Sequence, residues 1–74
     1  MNKITNFNAP VSDNVVKYIK LRGLKQYAVA ESAGITPHAL CDCLSGRRLL
    51  KISEVDALAK ALGVEPNELF QRDG

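Results

Sequence analysis

The sequence predicts an all-α domain of five short helices. Apolar residues recur at three- and four-residue spacing in separate runs, and glycines close four of those runs. No stretch alternates apolar and polar residues as a half-buried strand would.

Residues 1–11 lack periodicity and read as an N-terminal arm, with Ile4 and Phe7 as anchors. Ser12 reads as an N-cap and Asp13 complements the dipole of the first turn. Val15, Tyr18 and Ile19 then form the inward stripe of a helix over about 13–22, stopped by Gly23. A second helix is expected over about 25–32. Its small-residue face of Ala28, Val29 and Ala33 lets another helix approach closely, and Gly34 ends it. Thr36 caps the third helix and Pro37 takes its first position, where a missing N–H costs nothing. Leu40, Cys43 and Leu44 point inward and Gly46 terminates it.

Residues 47–51 read as a loop, in which Leu49 and Leu50 either cap the core or extend an apolar surface toward a second subunit. The fourth helix is expected over about 52–62, with Ile52, Val55, Leu58, Ala59 and Leu62 at helical spacing. Its cap is either Lys51 or Ser53, the latter paired with Asp56. Pro66 opens a short fifth helix whose Leu69 and Phe70 point to the core, and core or edge packing is expected for Tyr27 as well. The ordered domain is placed at 12–70, with a polar tail at 71–74.

A chain of 74 residues makes one domain and buries only about 60% of its unfolded surface, so it needs a well-matched core or a partner subunit. Without Trp and with an aromatic fraction of 5%, that core must be aliphatic. No apolar run approaches the roughly 18 residues of a membrane span, and the N-terminus lacks a signal-peptide apolar region. A cytoplasmic protein is expected, with Cys41 and Cys43 as reduced thiols too close in sequence to staple a fold. Two positions apart on a helix is about 200°, which turns Cys43 inward and Cys41 outward, so they cannot share one metal ion. His38 and Cys41 would supply only half a zinc site, and no third group orients a Cys–His pair. Neither a cofactor nor an enzymatic activity is expected.

Charge is unevenly spread. Residues 1–52 hold eight cations against three anions, and residues 53–74 hold two cations against five anions. One end is therefore suited to a polyanion and the other to solvent or a partner.

The functional signal lies at 24–46, where two short helices joined by a tight turn at Gly34 make a helix-turn-helix. The turn needs a residue tolerant of positive φ, and Ala30 is small enough for the helix crossing. Pro37, His38, Cys41, Asp42 and Ser45 leave the outer face of the third helix without large apolar groups, as entry into a major groove requires.

The stretch LKQYAVAESAGITPHALCDCLSG (24–46), followed by ALAKALGV (57–64), resembles the phage repressor/Cro (XRE-type) helix-turn-helix family over about 13–70. Its markers are Gln26, Ala30, Gly34, Leu40, Gly46 and the ALGV segment. The resemblance implies a lambda-repressor-like domain acting as a transcriptional repressor. Its third helix, about 37–45, would enter the major groove of a double-stranded operator. Gln26 matches a phosphate-binding position; Thr36, Pro37, His38 and Asp42 match positions that face base edges; Ser45 and the basic residues after it match the backbone-gripping flank. Arg47 and Arg48 are the main phosphate anchors expected, with Lys25 and Lys51 behind them. A homodimer on half-sites about one helical turn apart is expected, with helix 5 around Val64, Leu69 and Phe70 as its contact surface.

Many family members pair an Arg at the position of Ile19 with a Glu at the position of Leu44. Both are aliphatic here, and a matched apolar swap is expected to bring them together in the core. The alternative reading is an antitoxin-like protein-interaction module, favoured by the poor hydrogen-bonding set Pro37, His38 and Asp42.

Overall fold

The computed structural model describes residues 8–72 as five helices: α1 (Val11–Leu21), α2 (Gln26–Ala33), α3 (Pro37–Ser45), α4 (Ile52–Leu62) and α5 (Pro66–Leu69). There is no strand among the described residues, and no helix is long and apolar enough to cross a membrane. Ile4 and Phe7 lie outside the described residues.

The start of α1 differs from expectation. Ser12 is not the N-cap: the cap position is Pro10, and Ser12 sits inside the first turn, fully buried. The turn before the helix winds directly into it, because the Ser12 N–H donates to the Asn8 carbonyl at 3.0 Å and the Asn14 N–H to that of Pro10 at 2.9 Å. The Ser12 hydroxyl is buried without a hydrogen-bond partner among the described residues. Packing also begins earlier than residue 12, since Asn8 is itself buried.

In α2 the buried pair is Val29 and Ala30, with Ala33 half-buried and Ala28 exposed. Of the expected 28–29–33 set, Val29 and Ala33 face inward and Ala28 does not; Ala30, expected at the helix crossing, takes its place. Fully buried Ala30 supports the close crossing, as α2 packs on both α3 and α4. Leu40 and Cys43 of α3 are completely buried. They meet Val11 and Val15 of α1, Val55, Leu58, Ala59 and Leu62 of α4, and Leu69 of α5 in an aliphatic core. Ile19 and Leu44 are each partly buried against that core, from α1 and α3, two helices that pack together.

Three pairs of apolar residues divide between core and solvent: Leu69 and Phe70, both expected at the core; Ile52 and Val55, both expected on the inward stripe of α4; and Leu49 and Leu50, expected either to cap the core or to extend an outward surface. Leu69 is fully buried, whereas Phe70 is half-exposed and lies outside the core. Leu50 packs on the core while Leu49 faces solvent. Val55 is buried while Ile52, at the first position of α4, is 80% exposed. Tyr27 is also exposed.

Polar side chains tie the helix ends. Asn14 of α1 donates to the carbonyls of Leu69 and Gln71, both at 2.7 Å, and fixes the C-terminal segment. Arg22 donates to the Leu62 carbonyl at 2.6 Å, answering one of the unpaired carbonyls that end α4.

Candidate nucleic-acid interface

The helix-turn-helix is built by backbone geometry at its centre. Gly34 lies at φ 76°, ψ 25°, a left-handed conformation that residues with a Cβ adopt at a cost. From there the Ile35 N–H reaches back to the Ala30 carbonyl at 2.9 Å and closes α2. Ile35 is buried beneath the turn. Thr36 then caps α3 as expected, its Oγ1 accepting from the Ala39 N–H at 3.1 Å, with Pro37 first in the helix.

On α3 the outward stripe is Pro37, His38, Cys41 and Ser45, all exposed, beside a partly covered Asp42. These side chains oppose Leu40 and Cys43, as the helical period demands. The outer face is organised internally. Asp42 Oδ2 stands 3.3 Å from His38 Nε2 and its Oδ1 stands 3.7 Å from the Arg47 guanidinium. A carboxylate in the middle of this surface is thus flanked by one permanent cation and one imidazole. Ser45 donates its hydroxyl to the Asp42 carbonyl at 3.2 Å.

Lys25 is the N-cap of α2 and Gln26 its first residue; both are exposed. Lys51 is the N-cap of α4 and is exposed. This settles the choice of cap in favour of Lys51 over Ser53: the Glu54 carboxylate accepts the Lys51 N–H at 3.0 Å.

The two adjacent arginines differ. Arg47 projects outward with its side chain 75% exposed. Arg48 is turned inward, donating to both carboxylate oxygens of Glu54 and to the buried Cys43 sulfur at 2.9 Å. The hydrogen bond to Glu54, with that to Cys43, raises the Arg48 pKa above its already high value. The same bond holds the Glu54 carboxyl below the usual glutamate range, against the opposing effect of burial. Of the two, Arg47 has the guanidinium open to a phosphate.

A shallow cleft of about 260 Å³ lies elsewhere, lined by Ala9, Pro10, Asp13, Asn14, Gln71 and Arg72. None of the residues predicted to contact DNA lines it.

A family model described as a helix-turn-helix domain matches residues 20–70 of the chain. The chain belongs to the helix-turn-helix domain family. Its architecture is of the Cro/CI (XRE) type, and family and fold are those of DNA-binding regulators. Among solved structures, this helix-turn-helix protein is similar to the restriction-modification controller protein C.AhdI from Aeromonas hydrophila. The identity is 27% and the TM-score 0.77, covering 81% of this chain and 91% of that one. A hypothetical transcription factor, NHTF, from Neisseria matches with TM-score 0.81 at 19% identity, covering 96% of this chain and 85% of that one. The P22 c2 repressor, solved in complex with a synthetic operator, matches with TM-score 0.72 at 21% identity, covering 85% and 96% respectively. At those two lower identities the likeness is one of fold. No curated protein sequence matches the chain.

Two residues of the helix-turn-helix surroundings escaped sequence reasoning. Glu54 had a readable signal, an acid at the third position of a helix, but its arginine partner lies in a loop. Asn8 had none: a single amide in an aperiodic segment does not announce that its partners lie at 43, 48 and 50.

Proposed function

We propose that this DNA-binding transcriptional regulator recognises a double-stranded operator by inserting α3 into the major groove. The observation that supports this most is the outer face of α3. It is a stripe of exposed small or polar side chains, carried on a helix whose opposite side is fully buried, with exposed Arg47 at its end. Thr36, Pro37, His38 and Asp42 face base edges in this reading. Lys25, Gln26, Ser45, Arg47 and Lys51 hold the backbone, and Arg48 acts there mainly by supporting the loop. Asp42 rejects sequences that present acceptors to it and accepts from a cytosine amino group.

One α3 spans only a few base pairs, so a two-fold dimer on half-sites about one helical turn apart is part of the proposal. The surface expected for it, helix 5 around Val64, Leu69 and Phe70, is mostly turned inward. Leu69 is consumed by the core and Val64 is half-buried against it, leaving Phe70 as the available apolar group of that segment. The likeness to a restriction-modification controller protein supports a regulatory role. Mobility shift with fragments flanking its own gene tests this: a retarded fragment, competed by itself and not by unrelated DNA, is the expected result. Retardation of no fragment, or equal competition by all, contradicts sequence-specific binding.

One observation favours a second reading, a protein-interaction module of antitoxin type. Leu49 and Ile52 are large apolar side chains, close in sequence and 66% and 80% exposed. Absence of DNA retention in the same experiment, with capture of a specific partner protein lost on Ile52→Ser, would favour it.

A further inference from the structure

We propose that Asn8 is a positioning residue for DNA binding, fixing the end of α3 and the loop after it without touching DNA; this rests on the reading of α3 as the DNA-contacting helix. The Asn8 side chain is buried, so it is no contact residue itself. Its Nδ2 donates to the Cys43 carbonyl in the last turn of α3 and to the Arg48 carbonyl in the loop, both at 2.7 Å. Its Oδ1 accepts the Leu50 N–H at 2.9 Å. One carboxamide thereby meets three backbone groups from the segment that displays Ser45 and Arg47 on the DNA-binding flank. Its own carbonyl accepts the Ser12 N–H, which joins this segment to the first turn of α1.

A carboxamide suits this site because it offers two donors and an acceptor in one plane, a combination that neither a carboxylate nor a hydroxyl supplies. Without it, the carbonyls of Cys43 and Arg48 and the Leu50 N–H lose a common partner. The loop then has more arrangements to give up when Arg47 engages a phosphate, and that ordering is subtracted from affinity.

The molecule supplies its own control. Asn14 is equally buried and also donates to two carbonyls, but at Leu69 and Gln71, on the C-terminal segment. The test compares wild type, Asn8→Ala and Asn14→Ala, each shown folded by circular dichroism at the working temperature. Binding of a fluorescein-labelled, mixed-sequence DNA duplex of about 30 base pairs is followed by anisotropy at low salt, where phosphate contacts dominate. Asn8→Ala is expected to raise Kd about five- to tenfold and to speed hydrogen exchange at the Leu50 amide. Asn14→Ala is expected to bind as wild type does. Where Asn8→Ala is unfolded, Asn8→Asp replaces it, keeping the acceptor for Leu50 and removing both donors, with the same expectation. Wild-type affinity in the Asn8 variant, or equal loss in both variants, overturns the proposal. Failure of the wild type to bind the duplex overturns the DNA reading and the proposal with it.

Discussion

The Arg48 guanidinium meets the Glu54 carboxylate through two hydrogen bonds, at 3.1 and 2.7 Å, across the loop that follows α3. Glu54 at the same time holds the Lys51 N–H, so a single carboxylate fixes both the loop and the start of α4. Bidentate geometry of this kind is stronger than an ordinary surface ion pair.

The two arginines should therefore separate in experiment. Arg47→Ala is expected to weaken binding to every duplex and to flatten the log–log salt dependence by about 0.9, with the melting temperature little changed. Arg48→Ala is expected to lower the melting temperature by a few degrees and to leave most of the salt slope intact. Titrations at several salt concentrations, alongside thermal melts, distinguish the outcomes. A flattened slope for Arg48→Ala with an unchanged melt would place Arg48 on phosphate instead.

Acid should act through the same pair. The hydrogen bond from Arg48 holds the folded-state pKa of Glu54 below its ordinary value. Its contribution is fully present above the ordinary glutamate range and is lost as pH falls through the lower folded-state value. Melting temperature against pH should fall across that acidic window more steeply for wild type than for Glu54→Gln. Parallel curves would remove Glu54 from the acid response.

Ser12 offers a test of sign. As an N-cap its loss would cost about 1 kcal/mol. As a buried hydroxyl without a partner among the described residues, it should be better replaced by a methyl: Ser12→Ala is expected to raise stability by about 1 kcal/mol in denaturant unfolding. A destabilised Ser12→Ala would return the residue to a capping role.

How much of this was legible beforehand follows from the range of the interactions. Features set within one helix could be read directly: the bounds of α4, Pro37 and Thr36 at the start of α3, Gly34 and Gly46 at helix ends, and Cys43 inward with Cys41 outward. Features set between distant segments could not. Ser12 looked like a cap because capping chemistry is local, and the turn at 8–10 that displaces it is tied by Asn8 hydrogen bonds to residues 43, 48 and 50. Phe70 looked like core because hydrophobicity carries no direction at the last turn of a short helix. Arg48 looked like its neighbour Arg47 because charge alone cannot show which of two arginines has a carboxylate waiting six residues on.

Ile19 and Leu44 test the apolar swap. Ile19→Arg alone and Leu44→Glu alone each place an uncompensated charge against the core and are expected to destabilise by roughly 2–4 kcal/mol. The double variant should recover a measurable part, a favourable coupling in a double-mutant cycle of denaturation free energies. Strict additivity would show that the two sites do not communicate.

The central claim, that α3 and its flanks form the DNA surface, is tested most directly by mapping amide chemical shifts of isotope-labelled protein during titration with duplex DNA. Shifts concentrated at 25–27, 36–42 and 45–51 are the predicted result. A pattern confined to α5 and the exposed side of α4, or no change on adding DNA, would contradict it.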